Sequence, residues 1–171
     1  MINYRNLNFY NPTKGDIGFN DVVEEVFNYI KQQDDCDYEI VVGCDSSSDE
    51  KPAFPVALVI LRKGQGGRFF LAKVNYKNSD KKFYTLRDRI LEEIYLSCEV
   101  ALTFRDAFKK RISDSGESIN YQFEYIHADI GGSGQTKNMI KEVVGLIKSN
   151  GFEPKIKPES FAASIVADRF S

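Results

Sequence analysis

Residues 38–48 read YEIVVGCDSSS, and this stretch decides the fold because it predicts a buried strand that ends on a carboxylate. The β-branched run at residues 40–42 favours a strand near the middle of a sheet. Gly43 lets another backbone or a ligand approach closely. Asp45 follows at the carboxyl end of the strand, where a charge needs a cation, several hydrogen-bond donors or a metal ion.

Composition and charge set broad limits on the function. The chain has 171 residues, of which 42% are hydrophobic and 28% charged, as is typical of a soluble globular protein. Its net charge of −2 gives no global signal for nucleic acid, so a nucleic-acid partner would need a local basic patch or bound cations. No apolar run approaches the length of a membrane span, and we expect no membrane partner. Three cysteines without metal-ligand spacing predict reduced thiols in a cytoplasmic protein.

The order of the predicted elements indicates an α/β fold. We expect an N-terminal arm and helix, residues 1–36, packed on a domain of residues 37–171. After the central strand, two strand-like runs are joined by KGQGG, and a long helical pattern covers residues 83–111 without Gly or Pro. A strand, a helix, a strand and a final helix from about residue 159 to the chain end follow. This order predicts a five-stranded mixed sheet with helices on both faces.

Two of the predicted strands end in aspartate. Asp45 ends the first of them, and Asp129 ends the later strand INYQFEYIHAD. Ligands gather at the carboxyl ends of strands in α/β sheets, and adjacent parallel strands would bring these two carboxylates together. Like charges at that distance need a proton or a divalent cation between them. A single strand-end aspartate is more often a turn residue or a helix cap, so it is the pair that points to a site.

Two acids on helices complete the candidate set. In the long helix, a rotation of about 100° per residue places Glu93 at the margin of the inward stripe and Glu92 on the polar outer face. Asp168 shares a face of the last helix with Phe161 and Ile165, although an acid near a helix C-terminus opposes the helix dipole. Each has a plain structural interpretation as well, Glu93 as a boundary residue that reaches solvent and Asp168 as a solvated helix end.

Four carboxylates of this kind suit a hard divalent cation. Mg²⁺ and Mn²⁺ prefer carboxylate oxygen, and two ions about 4 Å apart can clamp the attacking and leaving oxygens of a phosphodiester. The single histidine, His127, alternates onto the strand face of Asp129 and is a candidate auxiliary group, although a packed, hydrogen-bonded histidine is more common. Ser46 is a second auxiliary candidate. Lys137 and Lys157 are candidates for contacts with substrate phosphates, with a solvated charged surface as the alternative.

Four segments of the chain resemble the YkuK family of bacterial ribonuclease H-like proteins, and they read VVGCDSSS, RILEEIYLS, YIHADIGGSGQT and KPESFAASIVADRF. The similarity covers about residue 37 to the end, and IHADIG and KPESFAAS are its most specific parts. It implies a ribonuclease H-like fold in which a central mixed sheet presents acidic metal ligands. By position, the family's acids of the first strand, first long helix, fourth strand and final helix resemble Asp45, Glu93, Asp129 and Asp168, respectively.

The leading hypothesis is a metal-dependent nuclease that acts on RNA, RNA–DNA hybrid or structured DNA by a two-metal mechanism. Its catalytic and metal-binding residues would be Asp45, Glu93, Asp129 and Asp168. A non-catalytic nucleic-acid-binding or assembly module is the alternative. A nucleotide-binding enzyme of the actin-like ATPase type would share the strand-end acids, but the turn GGSGQTK does not match a phosphate loop. The sequence carries no signal for an oligomeric state.

Overall fold

The computed structural model describes residues 1–76, 79 and 81–170. Its strands and α-helices, in chain order, are β1 (Asn8–Asn11), β2 (Gly15–Gly18), α1 (Phe19–Lys31), β3 (Tyr38–Cys44), β4 (Ala53–Arg62), β5 (Gly66–Asn75), α2 (Leu86–Ser115), β6 (Gln122–Ala128), α3 (Ile140–Ser149) and β7 (Glu153–Lys155). There are 3₁₀ turns at Tyr4–Asn6, Gly134–Met139 and Asp168–Phe170, and a π-helical turn at Ala162–Ala167. Ser171, which the predicted final helix includes, lies outside the described residues. In these ranges no helix has both the length and the apolarity to cross a bilayer.

The strands of the described residues form one seven-stranded sheet in the order β2-β1-β5-β4-β3-β6-β7. β3 lies in the interior, where it pairs antiparallel with β4 and parallel with β6. β7 adds a parallel strand at the edge, as the proline within it predicts. The mixed α/β sheet inferred from the sequence is therefore confirmed.

The prediction of five strands is wrong because the N-terminal arm enters the sheet. β1 and β2 form a hairpin, and β1 pairs antiparallel with β5. Gly15 has a φ of 73° at the hairpin turn, a conformation that favours glycine. The buried side chain of Asn11 accepts hydrogen bonds from the N–H groups of Thr13 and Lys14 at 3.0 Å and donates to the carbonyl of Phe69 at 2.9 Å. One side chain thus closes the turn and ties the arm to β5.

Helical segments pack on both faces of the sheet, as predicted. The larger core lies between one face and α1, α2 and α3, and it includes Ile40 and Val42 of β3. The smaller core lies on the other face, where Val41 packs with the π-helical turn through Ala162 and Ala167. Side chains alternate across a strand, so the β-branched run of β3 supplies apolar groups to both layers.

The long helix α2 is displaced by a few residues from its predicted position. The Thr85 hydroxyl accepts a hydrogen bond from the Asp88 N–H, and the Asp88 carboxylate accepts one from the Thr85 N–H, both at 3.1 Å. This capping box sets the start of the helix. Gly116 ends it with a φ of 68°. The final helix also differs from its prediction, because it is a π-helical turn followed by a 3₁₀ turn.

Candidate functional site

Asp45 and Asp129 directly follow two neighbouring strands, at the edge of the sheet formed by the carboxyl ends of those strands. They come directly after Cys44 and Ala128, which are the last paired residues of the parallel strands β3 and β6. Neighbouring strands lie about 4.8 Å apart. The topology therefore brings the two strand-end aspartates together, in agreement with the sequence analysis.

Glu93 reaches the same edge from α2. It is 6% exposed, and its Oε1 accepts a hydrogen bond of 2.5 Å from the hydroxyl of Ser46. The backbone N–H of Ser46 also donates to Oδ1 of Asp45 at 3.0 Å. Ser46 therefore links the two acids, which gives the residue a defined place in the site.

Glu92 does not lie on a polar outer face of α2, and that part of the helical-phase prediction is wrong. It is 8% exposed and accepts hydrogen bonds from the ammonium of Lys81 at 2.6 Å and from the hydroxyl of Tyr76. Both partners belong to the connection between β5 and α2. Helical phase alone carries no information on such a connection, so it could not indicate the burial of Glu92. The inward direction of Glu93 is as predicted.

Asp168 reaches Asp45 from the last turn of the chain. A side-chain hydrogen bond to Asp168 is one of the causes that raise the pKa of Asp45. The π-helical turn before Asp168 lies directly on β3, because a Cβ at Gly43 would be 2.7 Å from the backbone nitrogen of Ala163. The absence of a side chain at Gly43 is therefore what lets this turn approach the sheet.

His127 anchors the same turn from the neighbouring strand. It is the strand partner of Gly43 and is fully buried, and its Nδ1 accepts a hydrogen bond of 3.1 Å from the N–H of Ala162. Burial, assisted by the charge of Lys155, lowers the pKa of His127 from 6.5 to about 4, so the imidazole is neutral at pH 7. The packed, hydrogen-bonded interpretation of His127 is confirmed, and a role in proton transfer stays a prediction.

Burial and mutual repulsion make two of the acids retain protons. Burial, the hydrogen bond to Asp168 and the charge of Asp129 raise the pKa of Asp45 from 3.8 to about 7. Burial raises the pKa of Glu93 from 4.5 to about 8, against the lowering effect of its hydrogen bond from Ser46. Near neutral pH, protons thus neutralise part of the charge at this edge.

The two candidate substrate-binding lysines occupy different positions. Lys157 places its Nζ 3.1 Å from Oδ2 of Asp129. The other carboxylate oxygen of Asp129, Oδ1, is buried and has no hydrogen-bond partner among the described residues. Lys137 is exposed in the 3₁₀ turn Gly134–Met139. Lys157 therefore belongs to the acidic site, whereas Lys137 lies on the exposed surface of the 3₁₀ turn that follows Asp129 in the sequence.

Arg89 is a residue of the site that the sequence analysis missed. Its Nη1 donates a hydrogen bond of 2.7 Å to the backbone carbonyl of Ser47, in the loop that follows Asp45. Its charge also lowers the pKa of Glu93. The available signal was spacing, since Arg89 precedes Glu93 by four residues and so shares its side of α2.

The donor chemistry fits a divalent cation, although the ligands are not gathered around one point. All four candidate ligands are carboxylates, which suit Mg²⁺ or Mn²⁺, and Oδ1 of Asp129 is a buried acceptor in need of a partner. Across residues 1–76, 79 and 81–170, no three side chains of His, Cys, Asp or Glu stand close enough to hold a metal ion. Instead, Asp45 interacts with Asp168, and Asp129 forms an ion pair with Lys157. A cation at Oδ2 of Asp129 would have to displace the ammonium group of Lys157, whereas Oδ1 has no partner among the described residues.

Comparisons with known proteins agree with the resemblance seen in the sequence. The family model described as "Ribonuclease H-like" matches residues 21–171, a range that contains all four candidate acids. The protein named "Uncharacterized protein YkuK" of Bacillus subtilis (strain 168) is 33% identical over 169 residues, covering 95% of this chain and 96% of that protein. No solved structure matches the chain.

Proposed function

Because the chain belongs to the ribonuclease H-like family, as a YkuK-type protein, we propose that it is a metal-dependent nuclease that hydrolyses phosphodiester bonds in RNA, RNA–DNA hybrid or structured DNA. The family's fold is of a nuclease-type or nucleic-acid-binding kind. The observation that carries the proposal is the electrostatic coupling of acids from separate elements at one sheet edge. Asp129 and Asp168 both raise the pKa of Asp45, and Asp45 raises that of Glu93. Such coupled acids are typical of functional sites.

The roles of the acids follow from their contacts. Asp45, Glu93, Asp129 and Asp168 would hold Mg²⁺ or Mn²⁺, and Asp45 interacts with both Asp129 and Asp168. A bound ion supplies a Lewis acid for a phosphoryl oxygen and a lowered pKa for the attacking water. Asp45 would have to be ionised to hold such an ion. Ser46 keeps the Glu93 carboxylate oriented through its hydroxyl.

A non-catalytic nucleic-acid-binding or assembly module is the second candidate. It is favoured by one observation, that the described chain gathers no three side chains able to hold a metal ion. In that case the retained acids would serve the fold, through the Asp45–Asp168 hydrogen bond and the Asp129–Lys157 ion pair. Basic side chains would then contact nucleic acid directly, without a metal ion.

Cleavage assays with 5′-labelled RNA, RNA–DNA hybrid and branched DNA in Mn²⁺ or Mg²⁺ separate these candidates. A nuclease cuts at least one substrate, and Asp45→Asn lowers the rate at least about 100-fold, or about 2.7 kcal/mol of transition-state stabilisation, while it still binds that substrate. The matched control is Asp16→Asn, an exposed aspartate of β2 at the opposite edge of the sheet, which should cut like wild type. Equal binding by wild type and Asp45→Asn, with cleavage by neither, would identify the binding module.

A further inference from the structure

The backbone holds Lys157 beside Asp129. The N–H of Lys157 donates a hydrogen bond of 2.8 Å to the carbonyl of Ile130, the residue that follows Asp129. The two segments are in close contact, because a Cβ added at Gly131 would lie 3.3 Å from the Cβ of Lys157. The backbone therefore fixes the start of the lysine side chain beside the two residues that follow Asp129.

The ion pair itself can open without disturbing this backbone. Nζ of Lys157 lies 3.1 Å from Oδ2 of Asp129, and the lysine side chain is 52% exposed, whereas the Asp129 side chain is 21% exposed. Exposed ion pairs are weak, and lysine carries its charge on a flexible four-carbon stem. The ammonium group can thus move into solvent while the carboxylate stays in place.

A divalent cation and an ammonium group repel each other, so they compete for one carboxylate. Asp129 is a candidate metal ligand, and its Oδ2 is taken by Lys157 while its Oδ1 has no partner within the described chain. A displaced ammonium would remain tethered at the sheet edge where the substrate binds, and lysine binds phosphate as a point charge. Resting on the proposed function, we propose that Lys157 competes with the metal for Asp129 and, once displaced, contacts a substrate phosphate.

Isothermal titration of the full chain with Mn²⁺ tests the competition directly. Lys157→Met should bind Mn²⁺ about fivefold more tightly than wild type, a factor that suits an exposed ion pair. Lys157→Arg keeps the charge and should stay close to the wild-type affinity. Lys155→Met is the matched control, because Lys155 lies two residues away and pairs with Glu39 at 3.5 Å. It should change the Mn²⁺ affinity less than twofold, which separates local competition from a general loss of positive charge.

Fluorescence anisotropy tests the contact between the displaced ammonium group and a substrate phosphate. In saturating Mn²⁺, Lys157→Met should bind a phosphorothioate-blocked RNA–DNA hybrid several-fold more weakly than wild type. Unchanged hybrid affinity, unchanged or weaker Mn²⁺ binding by Lys157→Met, or equal tightening by Lys155→Met would overturn the role of Lys157. If wild type binds Mn²⁺ and Lys157→Met binds it no better, the nuclease proposal stands without this residue. If neither protein binds Mn²⁺ at millimolar concentrations, both proposals are overturned.

Discussion

Replacement of Glu93 by glutamine should stabilise the metal-free protein above neutral pH. Glu93 is 6% exposed, and burial raises its pKa from 4.5 to about 8. Between these values the folded state holds a proton that the unfolded state has released, so stability falls as the pH rises across this window. At about 1.36 kcal/mol per pKa unit the full shift amounts to about 4–5 kcal/mol, of which about 3 kcal/mol is lost between pH 5 and pH 8. Glutamine cannot ionise, and it keeps an acceptor for the hydroxyl of Ser46.

Urea unfolding in EDTA at pH 5 and pH 8 measures this difference. Between the two pH values, wild type should lose about 3 kcal/mol more unfolding free energy than Glu93→Gln. Glu92→Gln is the control, because the neighbouring buried glutamate is paired with Lys81 at 2.6 Å. Glu92→Gln should lower the unfolding free energy at both pH values, because the ammonium of Lys81 loses its charged partner. Parallel slopes for wild type and Glu93→Gln would refute the reasoning, since they would show that the buried carboxyl group takes up no extra proton on folding.

The packing and charge at this edge determine three other outcomes. Gly43→Ala should loosen the last turn of the chain, because the new Cβ would lie 2.7 Å from the nitrogen of Ala163. We expect a loss of about 1–3 kcal/mol in unfolding free energy and faster amide exchange in residues 162–170. Unchanged amide exchange would contradict this expectation. Asp45→Asn should raise the melting temperature in EDTA at pH 8, where the ionised Asp45 is disfavoured by burial and by Asp129, and it should lose the stabilisation that Mn²⁺ gives wild type. A lower melting temperature in EDTA would count against that assignment. His127 should remain neutral down to about pH 4. Because it is the only histidine, its ring Cε1–H signal in NMR reports the titration. A midpoint near pH 6.5 would exclude a buried imidazole.

The interior of the sheet could be predicted from the sequence because its signals are local. The β-branched run at residues 40–42 has the composition of a strand buried on both faces, and its strand lies in the interior of the sheet. Aspartates at the ends of two such strands meet when the strands are parallel neighbours, which the alternation of strands and helices also predicts. Glu93 follows from helical phase, since α2 is regular between its capping box and Gly116.

The remaining features depend on contacts between residues far apart in sequence. β1 and β2 are short and polar, and β1 joins the sheet by pairing with β5, to which Asn11 adds a hydrogen bond to Phe69, 58 residues away. Glu92 is buried because Tyr76 and Lys81 approach it from outside the helix. The ion pair of Lys157 with Asp129 likewise joins two connections whose mutual approach depends on Gly131. None of these contacts leaves a periodic or compositional trace in the sequence.

The packing of the turn that carries Asp168 shows how one site can keep its structure while its acids change charge. Gly43 and His127 are strand partners, so one position removes a side chain and the other supplies an acceptor for the N–H of Ala162. Since the pKa of His127 is lowered to about 4, its Nδ1 can accept that hydrogen bond throughout the range in which Asp45 gains or loses its proton, near pH 7. The turn that carries Asp168 is thus held by groups that do not titrate where Asp45 does. Loss of the Asp45 proton therefore changes the charge of the site without releasing the anchor of its C-terminal acid.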